Sequence, residues 1–151
     1  YSLLGKNEVQ AVQIIKSNWD HLIDYGQNLR LDRLLKMISP GIRNTDPSLL
    51  VIHAYLCDTL YYDYDAMRYF LKMSSNYLGN QQSDEGLLAA YASVHACYSA
   101  QAMDLPKALH FAELAFDNFL PHQVFLQDFS GWFRTQRDFR RLARRGADRR
   151  R

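Results

Sequence analysis

A chain of 151 residues is long enough for one domain with its own core, and 48% apolar against 23% charged residues is the balance of a folded protein, not of a disordered one. Its two cysteines, Cys57 and Cys97, both lie in apolar stretches, so they are no basis for a secreted disulfide framework, and the expected compartment is cytoplasmic. The net charge of +2 hides a split: residues 134–151 carry nine arginines against Asp138 and Asp148, whereas residues 1–133 hold nine basic against fourteen acidic side chains.

The first residues lack the basic start and long apolar run of a signal peptide, and an opening Tyr1 suggests a piece of a longer protein. Val9, Val12, Ile15, Trp19 and Leu22 fall three or four apart, which predicts a helix with one apolar face, and Gly26 is its expected C-terminal cap. A second helix is predicted over 29–38 from Leu31, Leu34, Leu35 and Ile38, stopping before Pro40-Gly41. Asp46-Pro47 then reads as a restart, with an acidic cap and a proline at the first helical position, for a helix running to about Tyr61. Asp63 or Asp65 opens its partner, which runs to Leu78-Gly79.

Asn80 to Ser83 reads as a polar loop, with Ser83 as a cap for a helix from Asp84 to about Ala102. That helix has no formally charged residue from Gly86 to Met103. Ser93, His95, Ser99 and Gln101 nonetheless make it a buried helix covered by neighbours in preference to a membrane span. Asp104 and Pro106 open a helix expected to end at Leu120-Pro121, and a last helical segment is predicted from Val124 to Arg145 on Phe125, Phe129, Trp132 and Phe133. No sustained period-two alternation is present, so the expected class is all-α. The expected domain covers 1–133, with hairpins at about 8–38, 47–78 and 84–120 followed by a C-terminal helix, and 134–151 forms a basic tail or linker.

One frame recurs 42 positions apart, over 53–73 and 95–115. Ala54 and Ala96 are each followed twelve positions later by Ala66 or Ala108, with an aromatic three further on, Tyr69 or Phe111. Small residues at matched positions let two helices approach closely, so Ala54 is expected to face Ala66 and Ala96 to face Ala108. Repetition of a helical hairpin on this scale implies a solenoid.

At these residues the chain resembles a tetratricopeptide-like repeat, and more specifically the helical-repeat domain of MalT-like, LuxR-type ATP-dependent transcriptional regulators. The matching positions are Leu34-Leu35 and Ile38 before Pro40, then Pro47-Ser48-Leu49, Ala54-Tyr55, and Ala66 with Leu71, continued by Ala96, Asp104, Leu105, Ala108 and Ala115. Tyr61 and Met103 occupy the family's usual glycine turn position, and Tyr55 stands where tryptophan is common. The resemblance implies a right-handed α-α superhelix of helical hairpins. It also implies a sensor module that binds an effector or partner protein, signal transduction through oligomerisation, and no catalysis of its own. Neither a G-x-x-x-x-G-K-S/T loop nor a recognition helix is found within these residues. A free-standing adaptor for protein–protein interaction is the alternative.

Candidate chemistry is sparse. His53 with Cys57 and His95 with Cys97 lack the four-ligand spacing of a zinc site, and recurrence of the histidines points to packing at the hairpin interface, so no metal or cofactor is expected. Asp58, Asp63 and Asp65 are read as helix-capping and loop charges, and no catalytic residue is assigned. In a tetratricopeptide-like register the concave face would present Val51, Tyr55, Asp58 and Thr59 from the second hairpin and Ser93, Cys97, Ala100 and Gln101 from the third, a face suited to an extended peptide or small polar ligand. Arg140, Arg141, Arg144 and Arg145 make the tail a candidate phosphate-binding arm with salt-sensitive nucleic-acid affinity. Self-association through the terminal hairpins is expected where an outer apolar face lacks its neighbour.

Overall fold

A computed structural model describes residues 3–78, 85–118 and 145, and among these described residues there are seven α-helices and one π-turn. They are α1 (Leu3–Asp24), α2 (Asn28–Lys36), α3 (Pro40–Arg43), α4 (Pro47–Leu56), the π-turn Cys57–Tyr61, α5 (Tyr64–Leu78), α6 (Glu85–Gln101) and α7 (Leu105–Asp117). No strand occurs among the described residues. The expected loop at Asn80 to Ser83, the helix end at Leu120-Pro121, the segment from Val124 to Arg145 and the arginine tail lie outside the described residues, Arg145 excepted.

Three helix pairs pack most closely, α1 with α2, α4 with α5, and α6 with α7, and further contacts of α2 with α4 and of α6 with α4 and α5 join them. Each pair turns through one residue in the left-handed region, Gly26 (φ 66°), Tyr62 (φ 50°) and Met103 (φ 59°). At the first turn Gly26 N–H donates to the Ile23 carbonyl (3.0 Å) and Gln27 N–H to that of Leu22 (2.8 Å). At the third, Met103 N–H donates to Ala100 (3.1 Å) and Asp104 N–H to Ser99 (2.9 Å). Both are Schellman closures, which satisfy the last carbonyls of the first helix and reverse the chain at once.

The residue after the left-handed one then caps the second helix. The carbonyls of Gln27, Asp63 and Asp104 accept from Leu31, Met67 and Ala108, and the carboxylates of Asp63 and Asp104 accept from Ala66 N–H (3.1 Å) and Lys107 N–H (3.3 Å). The second helices therefore share one register. Leu31, Met67 and Ala108 are fully buried, as are Leu35 and Leu71, with Ala112 close behind, and then Ile38, Ser74 and Ala115.

This register corrects the repeat frame drawn from the sequence. The counterpart of Ala108 is Met67, not Ala66, and the counterpart of Phe111 is Phe70, not Tyr69, which is 56% exposed. First helices repeat at 42 residues and second helices at 41, because thirteen positions separate Ala54 from Met67 and twelve separate Ala96 from Ala108. The extra residue is the π-turn, in which Asp63 N–H reaches back six residues to the Cys57 carbonyl (3.0 Å) instead of five. It also moves the left-handed position from the expected Tyr61 to Tyr62.

Asp46 caps α4 as expected, accepting from Ser48 N–H (2.9 Å) and Leu49 N–H (3.4 Å), with Pro47 at the first helical position. The same carboxylate pairs with Lys16 of α1, which ties the first hairpin to the start of the second. Pro40 does more than end a helix, since it opens the single turn α3. Helix α6, without a formally charged residue beyond Glu85, packs against α4, α5 and α7, and Ala89, Ala90, Ala92, Val94 and Ala96 are buried beneath them. No helix of the described residues is long and apolar enough to cross a membrane.

Candidate functional site

The residues expected to form a concave binding face are divided by depth. Val51, Tyr55 and Ser93 are buried among neighbouring helices, Asp58, Thr59, Cys97 and Ala100 are half-buried, and Gln101 is exposed. The buried hydroxyls are used internally: Tyr55 Oη donates to Asn28 Oδ1 (3.2 Å) and Ser93 Oγ to the Ala89 carbonyl (2.8 Å). Thr59 Oγ1 likewise donates to the Tyr55 carbonyl (3.1 Å). Burial, with a smaller contribution from the Asp58 charge, pushes the Cys97 thiol up to about 12, and burial raises the Asp58 carboxyl. Burial, with a smaller contribution from Asp63, pushes Cys57 up to about 11, so both cysteines are thiols at neutral pH and not nucleophilic thiolates.

The richest polar constellation lies between the first two hairpins, where α2 meets the π-turn. Tyr61 Oη donates to Asp32 Oδ2 (2.7 Å), and Lys36 Nζ donates to Tyr61 Oη (2.6 Å) while pairing with the same Asp32 oxygen (2.8 Å). Burial alone would raise the Asp32 carboxyl, but hydrogen bonds from Lys36 and Tyr61 outweigh it and hold the group below the usual carboxylate range. The hydrogen bond to Asp32, with that to Tyr61, correspondingly raises Lys36. Asp32 is 7% exposed, so this closed triangle is what makes its burial tolerable.

His53 borders the same cluster from α4. Its ring stacks on Phe70 (centroids 3.8 Å apart, planes at 22°), and His95 repeats the arrangement on Phe111 (3.7 Å, 19°). Burial, reinforced by the Arg43 charge, pulls His53 down to about 4, and burial lowers His95 in the same direction. Both imidazoles are neutral plates packed across a hairpin. Buried Nδ1 of His53 and Nε of Arg43 have no hydrogen-bond partner. Among the described residues, no three His, Cys, Asp or Glu side chains group as a metal site.

Asp32 and Lys36 were legible as an i,i+4 ion pair on a helix, a pairing that ordinarily decorates a solvated surface. Their connection to Tyr61 was not, because it depends on the extra residue of the π-turn. Of the tail arginines only Arg145 is described, and it is exposed, while Arg140, Arg141 and Arg144 lie outside the described residues. No family model matches the chain, and comparison with curated proteins and with solved structures finds no significant match.

Proposed function

We propose that this chain is a non-catalytic helical-repeat module that binds an effector or partner protein, of the kind found in MalT-like, LuxR-type transcriptional regulators. The hairpins would stack as a right-handed tetratricopeptide-like superhelix. The observation that carries the reading is the threefold register: a left-handed turn, a cap on the next residue, and buried positions four, eight and eleven residues beyond that cap in every hairpin. Such recurrence is what a chain needs when each unit buries its face only against the next. Asp58, Thr59, Cys97, Ala100 and Gln101 are the side chains of the expected face with surface left for a ligand.

Two measurements test the reading at its two levels. In a repeat array, stability is a sum of local units and neighbour interfaces, so Leu31→Ala should release amide protection in α1 and α2 while α6 and α7 keep theirs. Uniform loss across all helices would overturn the repeat. The regulator assignment is tested by the full reading frame: an upstream phosphate-binding loop and a downstream helix-turn-helix support it, and a frame lacking both leaves a free-standing adaptor.

A further inference from the structure

The second hairpin differs from the third by one residue, and that residue is spent on aiming Tyr61. The wide turn takes up the extra position, and from within it the Tyr61 hydroxyl reaches Asp32 (2.7 Å) and Lys36 (2.6 Å) of the first hairpin. Met103, the residue at the matching place 42 positions later, takes the left-handed turn itself and is 81% exposed. Hairpin three thus displays the alternative closure of the same topology, without the wide turn and without an aromatic reaching back.

Both closures are open to hairpin two, because tyrosine occupies both candidate turn positions. A left-handed conformation costs an L-residue about 1–2 kcal/mol wherever it falls, so Tyr61 and Tyr62 are equivalent in that respect and the backbone does not choose between them. What distinguishes the observed register is the contact of Tyr61 with Asp32 and Lys36 together with the Asp63 cap on α5, both of which are lost if the helix continues regularly, Tyr61 becomes the left-handed residue and Tyr62 takes the cap position. Tyr62 is 72% exposed and contributes nothing to hold its own position by burial.

We propose that Cys57–Tyr61 is a two-register element. In one register the wide turn clamps the second hairpin to the first through Tyr61. In the other, Tyr61 takes the left-handed turn as Met103 does, and the clamp opens. The element would set how rigidly the first hairpin is held against the remainder of the stack, which goes beyond the binding role proposed above and does not require it.

The test is amide relaxation dispersion over residues 57–63, together with hydrogen exchange in α2, on the full chain. Tyr62→Gly leaves the clamp intact and removes the backbone cost of the observed register alone. It should suppress the dispersion and raise protection in α2 by about fivefold or more. Deleting Thr59 gives hairpin two the length of hairpin three. It should keep the helical content while lowering α2 protection to the level of Tyr61→Phe, with α6 and α7 unchanged. Absence of dispersion in the wild type, or unchanged α2 protection in Tyr62→Gly, overturns the proposal. So does a Thr59 deletion that stays folded with α2 protection intact. If that deletion fails to fold, the Tyr62→Gly comparison decides alone.

Discussion

Acidification should weaken this fold well before its carboxylates are protonated, and His53 is the reason. Its folded pKa is about 4 against a reference of 6.5, with burial the main cause. A group whose folded value is depressed contributes stability that is fully present above its unfolded pKa and lost as pH falls toward its folded one, so the window here is pH 6.5 down to 4. Between pH 7 and 5 the linkage relation for those two values gives about 2 kcal/mol. His53 is only half-buried, and solvent screening reduces this to about 1 kcal/mol. Urea titration at the two pH values should show the wild-type midpoint falling by about 0.5 M in excess of the fall in His53→Phe, which retains the stack on Phe70 without a titratable group. His95 is lowered in the same direction and remains in both proteins, so it cancels from the difference. Equal midpoint shifts in the two proteins would refute the argument that His53 is held neutral by its surroundings.

Four further outcomes are expected. A double-mutant cycle on Asp32→Ala and Tyr61→Phe should give a coupling of about 1 kcal/mol by denaturant unfolding, and zero coupling would mean the bond across the hairpins is dispensable. Met103→Gly should raise stability by about 0.5–1 kcal/mol in thermal melts, since glycine relieves the left-handed backbone but loses more entropy on folding. Leu71→Ala, at a position 2% exposed between helices, should cost about 2–4 kcal/mol, whereas Arg68→Ala on the exposed side of the same helix should change little. Removing residues 134–151 should abolish low-salt retention on immobilised DNA, and undiminished retention would dismiss the tail as a phosphate-binding arm.

Helix existence was largely legible because it rests on local rules. Asp46-Pro47 and Asp104 are caps whose chemistry is contained within four residues, and Gly26 is a left-handed turn that its lack of a side chain announces. The histidine pair is readable as packing at the hairpin interface, but its ring partners are not. Phe70, not the Tyr69 of the repeat frame, is the counterpart of Phe111 and stacks on His53, because a frame counted from the first helix drifts by one after the π-turn. The candidate face fared unevenly for a related reason. Helical spacing places Val51, Tyr55 and Ser93 on one side of their helices, yet spacing carries no information about whether α2 or α5 lies across that side and covers them.

What the sequence determined by itself was therefore the parts: an all-helical class that holds across the described residues, three hairpins, their caps, and a sixth helix without charge beyond Glu85 that had to be covered. Those follow from periodicity and from backbone groups that must be satisfied within a few residues. The tertiary structure decided the register between parts. Only there does one additional residue become a wide turn, move the left-handed position to Tyr62, and turn Tyr61 from a turn residue into the partner of Asp32 and Lys36. A helix tolerates one extra residue at small local cost, and the sequence leaves no mark of where it is absorbed. Its consequence appears only when side chains 29 positions apart are brought within hydrogen-bonding distance.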